Sequence, residues 1–376
     1  MIRDMRVITG KYIFDGVNLL ADKVVLVADG LIVDIMDKAK VFDKSQIEDF
    51  GNVVISSGML DLQLNGCGGV LFNDSISFET LEIMHQTNLR YGTTGFLPTL
   101  ITTSFDDVHQ ALEITKEWFK QFGNTRGVIG LHLEGPFLSS DKSGIHPKEF
   151  IIAPNDDMLK LIVSYIKYYP IKITLAPENF TAEQIAFLTK NGVIVSIGHS
   201  NARYEDAQKA LDNGAITATH LFNAMSGITG RNPGVVGAVL SNPCYTGIIV
   251  DLLHVDKHNV NLVSKLKPMH TYLVTDAVTP TGTEMTEFDF AGKHLYVRDG
   301  KCIDDNGTLG GAYLTMDEAV RNCVNECNIS LEQALAMATI IPAQMMGLDN
   351  EIGRVSIGNR ADLIAMNLND FKCELI

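Results

Sequence analysis

The stretch that decides the fold is IKITLAPENFTAEQIAFLTKNGVIVSIGHSNARYEDAQKALDNGAITATHLF, residues 171–222. It contains three short β-rich runs, IKITLAP (171–177), VIVSIGH (193–199) and ITATHLF (216–222), separated by polar helical stretches such as NARYEDAQKALDNG (201–214). Strands that alternate with helices in this way are typical of βαβ units, which build a parallel sheet.

The same alternation extends to both sides of this stretch. The candidate strands are 59–65, 93–99, 128–134, 171–177, 193–199, 216–222, 245–251 and 271–277. Eight strands separated by helices predict an α/β fold of the (β/α)8 TIM-like barrel type. The spacing alone also permits an open doubly wound sheet.

Both ends of the chain are β-rich. VVLVADG followed by LIVDIMD (24–37) is a hairpin signal with Asp29-Gly30 at the turn, and IGRVSIGNRADLIAMNLNDF (352–371) is β-rich again. We expect the ends, 1–54 and 347–376, to form one small β-sandwich domain beside a barrel of residues 55–346. The segment 284–311 reads as a β excursion from the barrel.

The composition excludes several classes of protein. The chain has 376 residues with 30 Lys+Arg and 45 Asp+Glu, a formal net charge of −15. Phosphate backbones and anionic membranes attract clustered basic residues, so neither nucleic acid nor membrane is an expected partner. An anionic substrate would need a local basic pocket. No signal-peptide pattern is seen, and six scattered cysteines fit reduced thiols, so we expect a cytoplasmic protein.

Polar side chains end almost every candidate strand. They are Gln63, Asn65, Thr99, Glu134, Glu178, His199, His220, Asp251, His254 and Asp276. The carboxyl ends of barrel strands are where active sites are built, and burying unpaired polar groups has no packing benefit. The pattern therefore predicts an active site at this edge.

Glu134, His199 and His220 form a candidate metal site. Two imidazoles and one carboxylate are typical ligands of a catalytic zinc, which lowers the pKa of a bound water to about 7. Asp276 could accept the proton of that water and pass it to a leaving amine. Each of these residues also has a purely structural alternative. His199 could cap a helix, His220 could be a core histidine, and Asp276 could pair with a nearby arginine.

The other histidines have weaker signals. His132 lies two residues before Glu134 on the same strand face, so we interpret it as a core residue or a neighbour of the ligands rather than a ligand. Five histidines in helical, connecting or excursion segments are predicted to lie on the surface: His85, His109, His258, His270 and His294.

At these residues the chain resembles the N-acetylglucosamine-6-phosphate deacetylases, a family of the amidohydrolase superfamily. The similar stretches follow the family's order along nearly the whole chain: DLQLNGCGG (61–69), LPTLITTS (97–104), GLHLEGPFL (130–138), KSGIHP (142–147), TLAPE (174–178), SIGHSNA (196–202), ATHLFNAM (218–225), GRNPGVVGAVL (230–240), LLHVD (252–256), LVTDAVTP (273–280) and NGTLGGAYLTM (306–316). A match of this extent is far more specific than any single motif.

The resemblance implies a metal-dependent hydrolase that releases acetate from N-acetyl-D-glucosamine 6-phosphate. It implies Glu134, His199 and His220 as ligands of one divalent ion, with Asp276 as general base and then acid, and His146 stabilising the oxyanion. It also implies a set of substrate contacts: Ile145, His146, Asn223, Ala224, Arg231, His254, Leu309, Gly310 and Gly311. Arg231 and His254 would bind the phosphate, and because the arginine can come from a neighbouring subunit in this family, we expect a homodimer or homotetramer.

Several positions depart from the pattern of related enzymes. Many amidohydrolases carry His-x-His on the first strand and bind a second metal there, whereas this chain has Gln63 and Asn65. Amides are weak zinc ligands, so we expect one ion, Zn2+ in preference to Fe2+, Co2+ or Mn2+. Leu252 stands where glycine is expected, and Gly310 where serine or alanine is expected. The chain ends at Ile376, before a further strand that the family usually has, so the small domain is expected to be a strand short.

Two other functions remain open from the residues. One is a different one-metal amidohydrolase, such as a deacetylase of another amino sugar or a cyclic-amide hydrolase. The other is a non-catalytic protein that binds sugar phosphates on the same scaffold.

Overall fold

The computed structural model describes residues 5–376, and the chain begins with a series of short strands. These are β1 Arg6–Thr9, β2 Tyr12–Phe14, β3 Leu19–Leu20, β4 Lys23–Ala28, β5 Leu31–Asp37, β6 Ile47–Asp49 and β7 Val53–Ser57. The antiparallel pair β4 and β5 turns at Asp29 (φ 52°) and Gly30 (φ 74°). Two successive positive φ angles define the turn that Asp-Gly favours, so the predicted hairpin is confirmed.

The middle of the chain alternates strands with helices. Its strands are β8 Met59–Leu64, β9 Gly66–Cys67, β10 Val70–Leu71, β11 Thr93–Ile101, β12 Gly127–Val128, β13 Leu131–Glu134, β14 Ile171–Leu175, β15 Ile194–Ile197, β16 Thr217–Ala218, β17 Tyr245–Ile249 and β18 Thr271–Val274. Its helices are α1 Phe78–Leu89, α2 Phe105–Phe122, α3 Asp156–Tyr165, α4 Ala182–Lys190, α5 Tyr204–Asp212, α6 Gly234–Ser241 and α7 Lys257–Leu266. Side chains of Ser77, Ser104, Asn155 and Thr181 cap α1 to α4.

Eight of these strands close into a parallel barrel in the order β8, β11, β13, β14, β15, β16, β17, β18. The last strand returns to the first, because the backbone N–H of Asp276 donates to Gln63 O at 3.0 Å and that of Asn65 donates to Ala277 O at 3.0 Å. The predicted barrel is therefore confirmed, and an open doubly wound sheet is excluded by this closure.

Six of the eight barrel strands end earlier than the sequence predicts, whereas β13 ends at Glu134 as predicted and β11 extends to Ile101. The predicted strand 216–222 contains only two residues in strand geometry, Thr217 and Ala218. His220 and Phe222 take positive φ angles of 32° and 80°, which turn the chain out of the sheet. His199 does the same at the end of β15, with φ 46°.

The last quarter of the chain leaves the barrel and returns to it. An antiparallel sheet of β19 Glu287–Phe290, β20 Lys293–Arg298, β21 Lys301–Ile303 and β22 Leu309–Ala312 forms the predicted excursion. The helices α8 Met316–Asn325, α9 Leu331–Ala338 and α10 Ile340–Met346 follow, and then the strands β23 Leu363–Asn367 and β24 Cys373–Leu375.

The two chain ends form the small β domain. Strand β23 pairs with β7 and β24 in a sheet of order β24-β23-β7-β2-β3, and a second sheet has the order β5-β4-β1-β6. Ile8, Ile13, Val25, Ile55 and Leu363 are buried together in this part of the chain. The predicted small domain built from both ends is thus confirmed. The ranges 1–54, 55–346 and 347–376 stay a prediction, and β7 crosses the first of these boundaries.

Two further predictions can be compared with the structure. His85 was expected on the surface, but it is only 9% exposed, so that prediction was wrong. It lies on the face of α1 that packs towards β11 and β12.

All six cysteines, which lie within the described residues, are free thiols. Among residues 5–376, no helix combines the length and apolar character needed to cross a bilayer.

Candidate active site

A cavity of about 300 Å³ opens at the carboxyl ends of the barrel strands. It is lined by Asn65, Ile101, Glu134, Asp141, Lys142, Gly144, Ile145, His146, His199, His220, Asn223, Ala224, His254, Asp276, Phe290, Leu309 and Gly311. Most of these residues lie at the ends of barrel strands or in the loops that follow them, so closure of the barrel brings together side chains that are far apart in the sequence.

Glu134, His199 and His220 meet in a tight triangle on the floor of the cavity. Glu134 Oε1 lies 3.3 Å from His199 Nε2 and 3.1 Å from His220 Nε2. The two Nε2 atoms are 3.0 Å apart. All three side chains are at most 7% exposed. Burial alone would raise the pKa of Glu134, but the two imidazoles outweigh it and hold that pKa well below its usual range.

The ring of His199 is oriented for its Nε2 to act as a ligand. Its Nδ1 donates to the carbonyl oxygen of Lys142 at 2.8 Å, which leaves Nε2 facing Glu134. A second hydrogen bond of this kind usually fixes the tautomer of a metal-bound histidine. Glu178 holds the following residues, since it accepts from Ser200 Oγ at 2.6 Å and from Asn201 N at 2.7 Å.

His146 is a fourth buried group at the site, with a different tautomer. One ligand atom from each of Glu134, His146 and His199 also lies within 4.8 Å of the others. However, the backbone N–H of Thr102 donates to His146 Nδ1 at 3.3 Å, so Nδ1 is an acceptor and the ring proton is on Nε2. Burial, together with the charge of His199, lowers the pKa of His146 well below its usual value. A neutral ring with Nε2–H is a hydrogen-bond donor rather than a metal ligand.

The amide pair Gln63 and Asn65 binds carboxylates. Gln63 Nε2 donates to Glu134 at 3.2 and 3.3 Å and to Asp276 Oδ1 at 3.1 Å. Asn65 Nδ2 donates to the same Asp276 oxygen at 2.7 Å. Burial, and then repulsion from Glu134, raises the pKa of Asp276. The two amides therefore hold the Asp276 carboxylate at the edge of the triangle.

His132 lies one layer below the site within a chain of hydroxyl groups. Its Nδ1 is 3.1 Å from Thr99 Oγ1 and its Nε2 is 2.7 Å from Thr174 Oγ1. Thr219 Oγ1 continues the chain at 2.6 Å from both Thr174 Oγ1 and Ser196 Oγ. Burial lowers the pKa of His132 well below its usual value. It is a buried neighbour of the predicted ligand Glu134, in agreement with the interpretation from sequence.

The rim of the cavity contains most of the predicted substrate contacts. Asn223, Ala224, His254, Leu309 and Gly311 line it. Gly310 itself is buried and turned away, and a Cβ atom there would lie 2.4 Å from Leu295 Cδ2 and 3.3 Å from Ile145 Cδ1. The space that a serine or alanine would need is therefore filled by the side chains of the β excursion and of the loop before His146.

Arg231 lies apart from the other predicted contacts. It is exposed on the loop before α6 and is not among the residues that line the cavity.

Sequence reasoning missed five residues at this cavity: Ile101, Asp141, Lys142, Gly144 and Phe290. Lys142 begins the KSGIHP stretch, which offered a signal, because its neighbours in that stretch were already predicted contacts. Phe290 belongs to the β excursion, where it packs with Ile101 and Ile145. No local pattern in the sequence connects that excursion with the barrel mouth.

Comparison with known proteins assigns this geometry to a family. The amidohydrolase family profile matches residues 54–375, which include the whole barrel. The chain belongs to the amidohydrolase family. This amidohydrolase is 40% identical over 360 residues to N-acetylglucosamine-6-phosphate deacetylase of Haemophilus influenzae, covering 95% of this chain and 94% of that protein. It is 35% identical over 378 residues to N-acetylgalactosamine-6-phosphate deacetylase of a Shewanella species, covering 96% of this chain and 91% of that protein.

A solved structure is closely similar to this amidohydrolase throughout. The crystal structure of N-acetylglucosamine-6-phosphate deacetylase from Pasteurella multocida superposes with a TM-score of 0.95 at 44% identity, covering 98% of this chain and 97% of that one. The resemblance drawn from the sequence motifs is therefore confirmed.

Proposed function

We propose that this amidohydrolase hydrolyses N-acetyl-D-glucosamine 6-phosphate to D-glucosamine 6-phosphate and acetate, in the catabolism or recycling of amino sugars. The observation that carries the proposal is the Glu134, His199 and His220 triangle beside Asp276, in a chain 40% identical over 95% of its length to a deacetylase of that substrate.

The triangle has the dimensions of a metal site. Ligand atoms about 2.0–2.1 Å from a tetrahedral zinc ion lie about 3.3 Å from one another. The three atoms here are 3.0, 3.1 and 3.3 Å apart, so Glu134, His199 and His220 fit one face of such a tetrahedron. His146 fits less well, because its Nε2 carries the proton. We assign one divalent ion per subunit, Zn2+ in preference to Fe2+, Co2+ or Mn2+.

The position where other amidohydrolases bind a second ion is occupied by amide groups. Gln63 and Asn65 direct their N–H groups, not their lone pairs, at Glu134 and Asp276. Amide oxygens are weak ligands of zinc compared with imidazole, which supports a one-metal site.

The protein's own groups divide the work of hydrolysis. A bound divalent ion supplies Lewis acidity and lowers the pKa of a water molecule. His146, neutral and protonated on Nε2, donates a hydrogen bond to the acetamide oxygen as negative charge develops there. Asp276 accepts the proton of the attacking water and then protonates the sugar nitrogen as the C–N bond breaks.

The rim residues bind the sugar phosphate. Asn223, Ala224 and the 309–311 loop contact the substrate, and His254 provides a basic group for the phosphate. Because Arg231 is exposed and does not line its own cavity, we assign it to the cavity of a neighbouring copy, in a homodimer or homotetramer. The small-molecule substrate and the acidic composition are in keeping with a cytoplasmic enzyme.

The test is acetate release by the zinc-loaded protein. N-acetylglucosamine 6-phosphate, N-acetylgalactosamine 6-phosphate and unphosphorylated N-acetylglucosamine are compared side by side. We expect the first to be hydrolysed with the highest kcat/KM. A preference for N-acetylgalactosamine 6-phosphate would support a second candidate function, a deacetylase of another amino sugar, which the similarity to the Shewanella protein suggests. Equal turnover with and without phosphate would overturn the phosphate assignment, and binding without acetate release would indicate a non-catalytic protein.

A further inference from the structure

Asp251 and His254 form a buried ion pair at the rim of the cavity. Asp251 Oδ2 lies 2.6 Å from His254 Nδ1, and the two side chains are 5% and 7% exposed. Asp251 follows β17 and does not line the cavity, whereas His254 does. The aspartate therefore contacts the histidine ring on the side away from the cavity, and the other ring nitrogen, Nε2, is left for a ligand in the cavity.

The second oxygen of Asp251 organises the backbone between the two residues. Its Oδ1 accepts from the backbone N–H of Leu253 at 2.9 Å and of His254 at 2.8 Å. Leu252, which directly follows Asp251, has φ 65°, a left-handed conformation that leucine rarely adopts. Glycine would adopt it without strain, which is why Leu252 was a notable departure in the sequence. One carboxylate thus holds a strained turn and the imidazole that follows it.

We propose that Asp251 is a positioning residue, which keeps His254 a protonated, fixed donor for an anionic group of the substrate. This inference rests on the proposed function, because it concerns how the phosphate of that substrate is recognised.

The state of His254 depends on its ion pair. A neutral imidazole that donates from Nδ1 to Asp251 presents a lone pair at Nε2, which repels a phosphate oxygen. A protonated imidazole presents an Nε2–H group together with a positive charge, which attracts it. Burial lowers the pKa of His254, but the hydrogen bond and charge of Asp251 outweigh it, so the pKa is raised. The charge is therefore present below that raised pKa and is lost above it.

Three other elements place titratable groups near His254. Asp276, which follows β18, adds to the rise in the pKa of His254. Cys302 on β21 lies close enough to Asp251 and Asp276 that burial and their charges raise the pKa of its thiol to about 12, so it stays protonated. Lys142 and Asp141 line the cavity with opposite charges. Asp251 is the group that contacts the imidazole directly.

The experiment compares the Asp251→Asn variant with the wild type on phosphorylated and unphosphorylated N-acetylglucosamine between pH 5.5 and 9. Loss of a hydrogen bond to a charged group typically costs 10- to 100-fold in affinity, so we expect KM for the phosphorylated sugar to rise roughly 10-fold or more at pH 7.5. KM for the unphosphorylated sugar should change little. The increase should shrink as the pH falls, because a larger fraction of His254 is then protonated in the variant as well.

Two controls separate positioning from a general loss of structure. Asp256→Asn makes the same chemical change at an exposed helix cap nearby, where asparagine also caps well, and should leave both KM values unchanged. In a His254→Gln background, Asp251→Asn should add little further to KM, since the two residues act as one unit. Equal increases of KM for both sugars, or additive effects of the two substitutions, would overturn the proposal.

A measurement on the wild type does not depend on activity or on folding of the Asp251→Asn variant. The His254 imidazole is followed by NMR during a pH titration, with His254→Gln for assignment, and its pKa should lie above the ordinary 6.5. A pKa at or below that value would overturn the positioning role. If the protein hydrolysed none of the sugars while His254 titrated as expected, the proposed function would fail and the Asp251–His254 pairing would stand.

Discussion

Replacing Asp276 by asparagine should abolish most of the turnover while the metal and the fold are retained. Asp276 Oδ1 accepts from both Gln63 Nε2 and Asn65 Nδ2, at 3.1 and 2.7 Å. The carbonyl oxygen of an asparagine can accept the same two bonds, which places its NH2 group where Oδ2 now lies. The side chain would therefore keep its position and lose only its charge and its capacity to accept a proton.

The expected loss follows from the role of this carboxylate. General acid–base groups typically contribute 10²- to 10⁴-fold to rate, which corresponds to about 2.7 to 5.4 kcal/mol of activation free energy at 1.36 kcal/mol per tenfold change. The metal ligands in our assignment are Glu134, His199 and His220, so the metal content of the Asp276→Asn variant should equal that of the wild type.

The assay measures acetate release at saturating substrate and metal content by mass spectrometry on the same samples. Asp256→Asn, the exposed cap substitution, is the matched control and should keep the wild-type kcat. A metal-replete Asp276→Asn protein with near-normal kcat would refute the assignment of Asp276 as the proton acceptor. Loss of the metal together with the activity would instead make Asp276 a ligand.

Three further predictions concern the floor of the site and the barrel interior. Asn65→Ala removes the 2.7 Å hydrogen bond to the Asp276 carboxylate and should lower kcat roughly 10- to 100-fold, since such charge-assisted bonds contribute about 1.5–3 kcal/mol. An unchanged kcat would show that Asn65 is not needed to hold Asp276 in place. Chelation should abolish acetate release and lower Tm, with zinc restoring both, because an ion that binds only the folded state stabilises it; full activity after verified metal removal would contradict a metal site. Lys172 is fully buried, donates to Leu62 O at 3.3 Å, and burial lowers its pKa to about 8 from 10.5. Protonation of this lysine below pH 8 therefore costs the folded state up to about 3 kcal/mol, a penalty that fades as the pH rises towards 10.5. Lys172→Met should accordingly raise the free energy of unfolding at pH 7 and much less at pH 10; urea unfolding at both pH values would show the opposite if the lysine were stabilising.

Much of the candidate site could be predicted because barrel topology converts sequence order into position. Each polar residue at the end of a β-rich run, such as Glu134 or Asp276, had to reach the same edge of a closed parallel sheet. The conformations of these residues could not be predicted. His199, His220, Ala224, Leu252 and Asp276 all have positive φ angles, between 32° and 65°. Such backbone strain is held by the surrounding structure and carries no local sequence signal in non-glycine residues.

The hydrogen-bond partners of Gln63 and Asn65 could not be predicted from the sequence either. From the sequence they were only a position where histidines are missing. In the structure they donate to a carboxylate that lies 213 and 211 residues further along the chain. The first strand and the last become neighbours only when the barrel closes, so nothing near Gln63 could reveal its partner.

The sequence by itself determined the alternation of strands and helices, the β-rich ends and the chemical types of group at the barrel mouth, because hydrophobic period and residue type are local properties. Only the tertiary structure decided which of these groups touch. It placed the three predicted ligand atoms 3.0 to 3.3 Å apart and gave His146 a donor tautomer through Thr102. It also placed Asp251 against His254 Nδ1 and left Arg231 outside the cavity of its own chain. The physical reason is that hydrogen bonds and metal coordination depend on distances of a few tenths of an ångström, which closure of the barrel and packing of its loops fix.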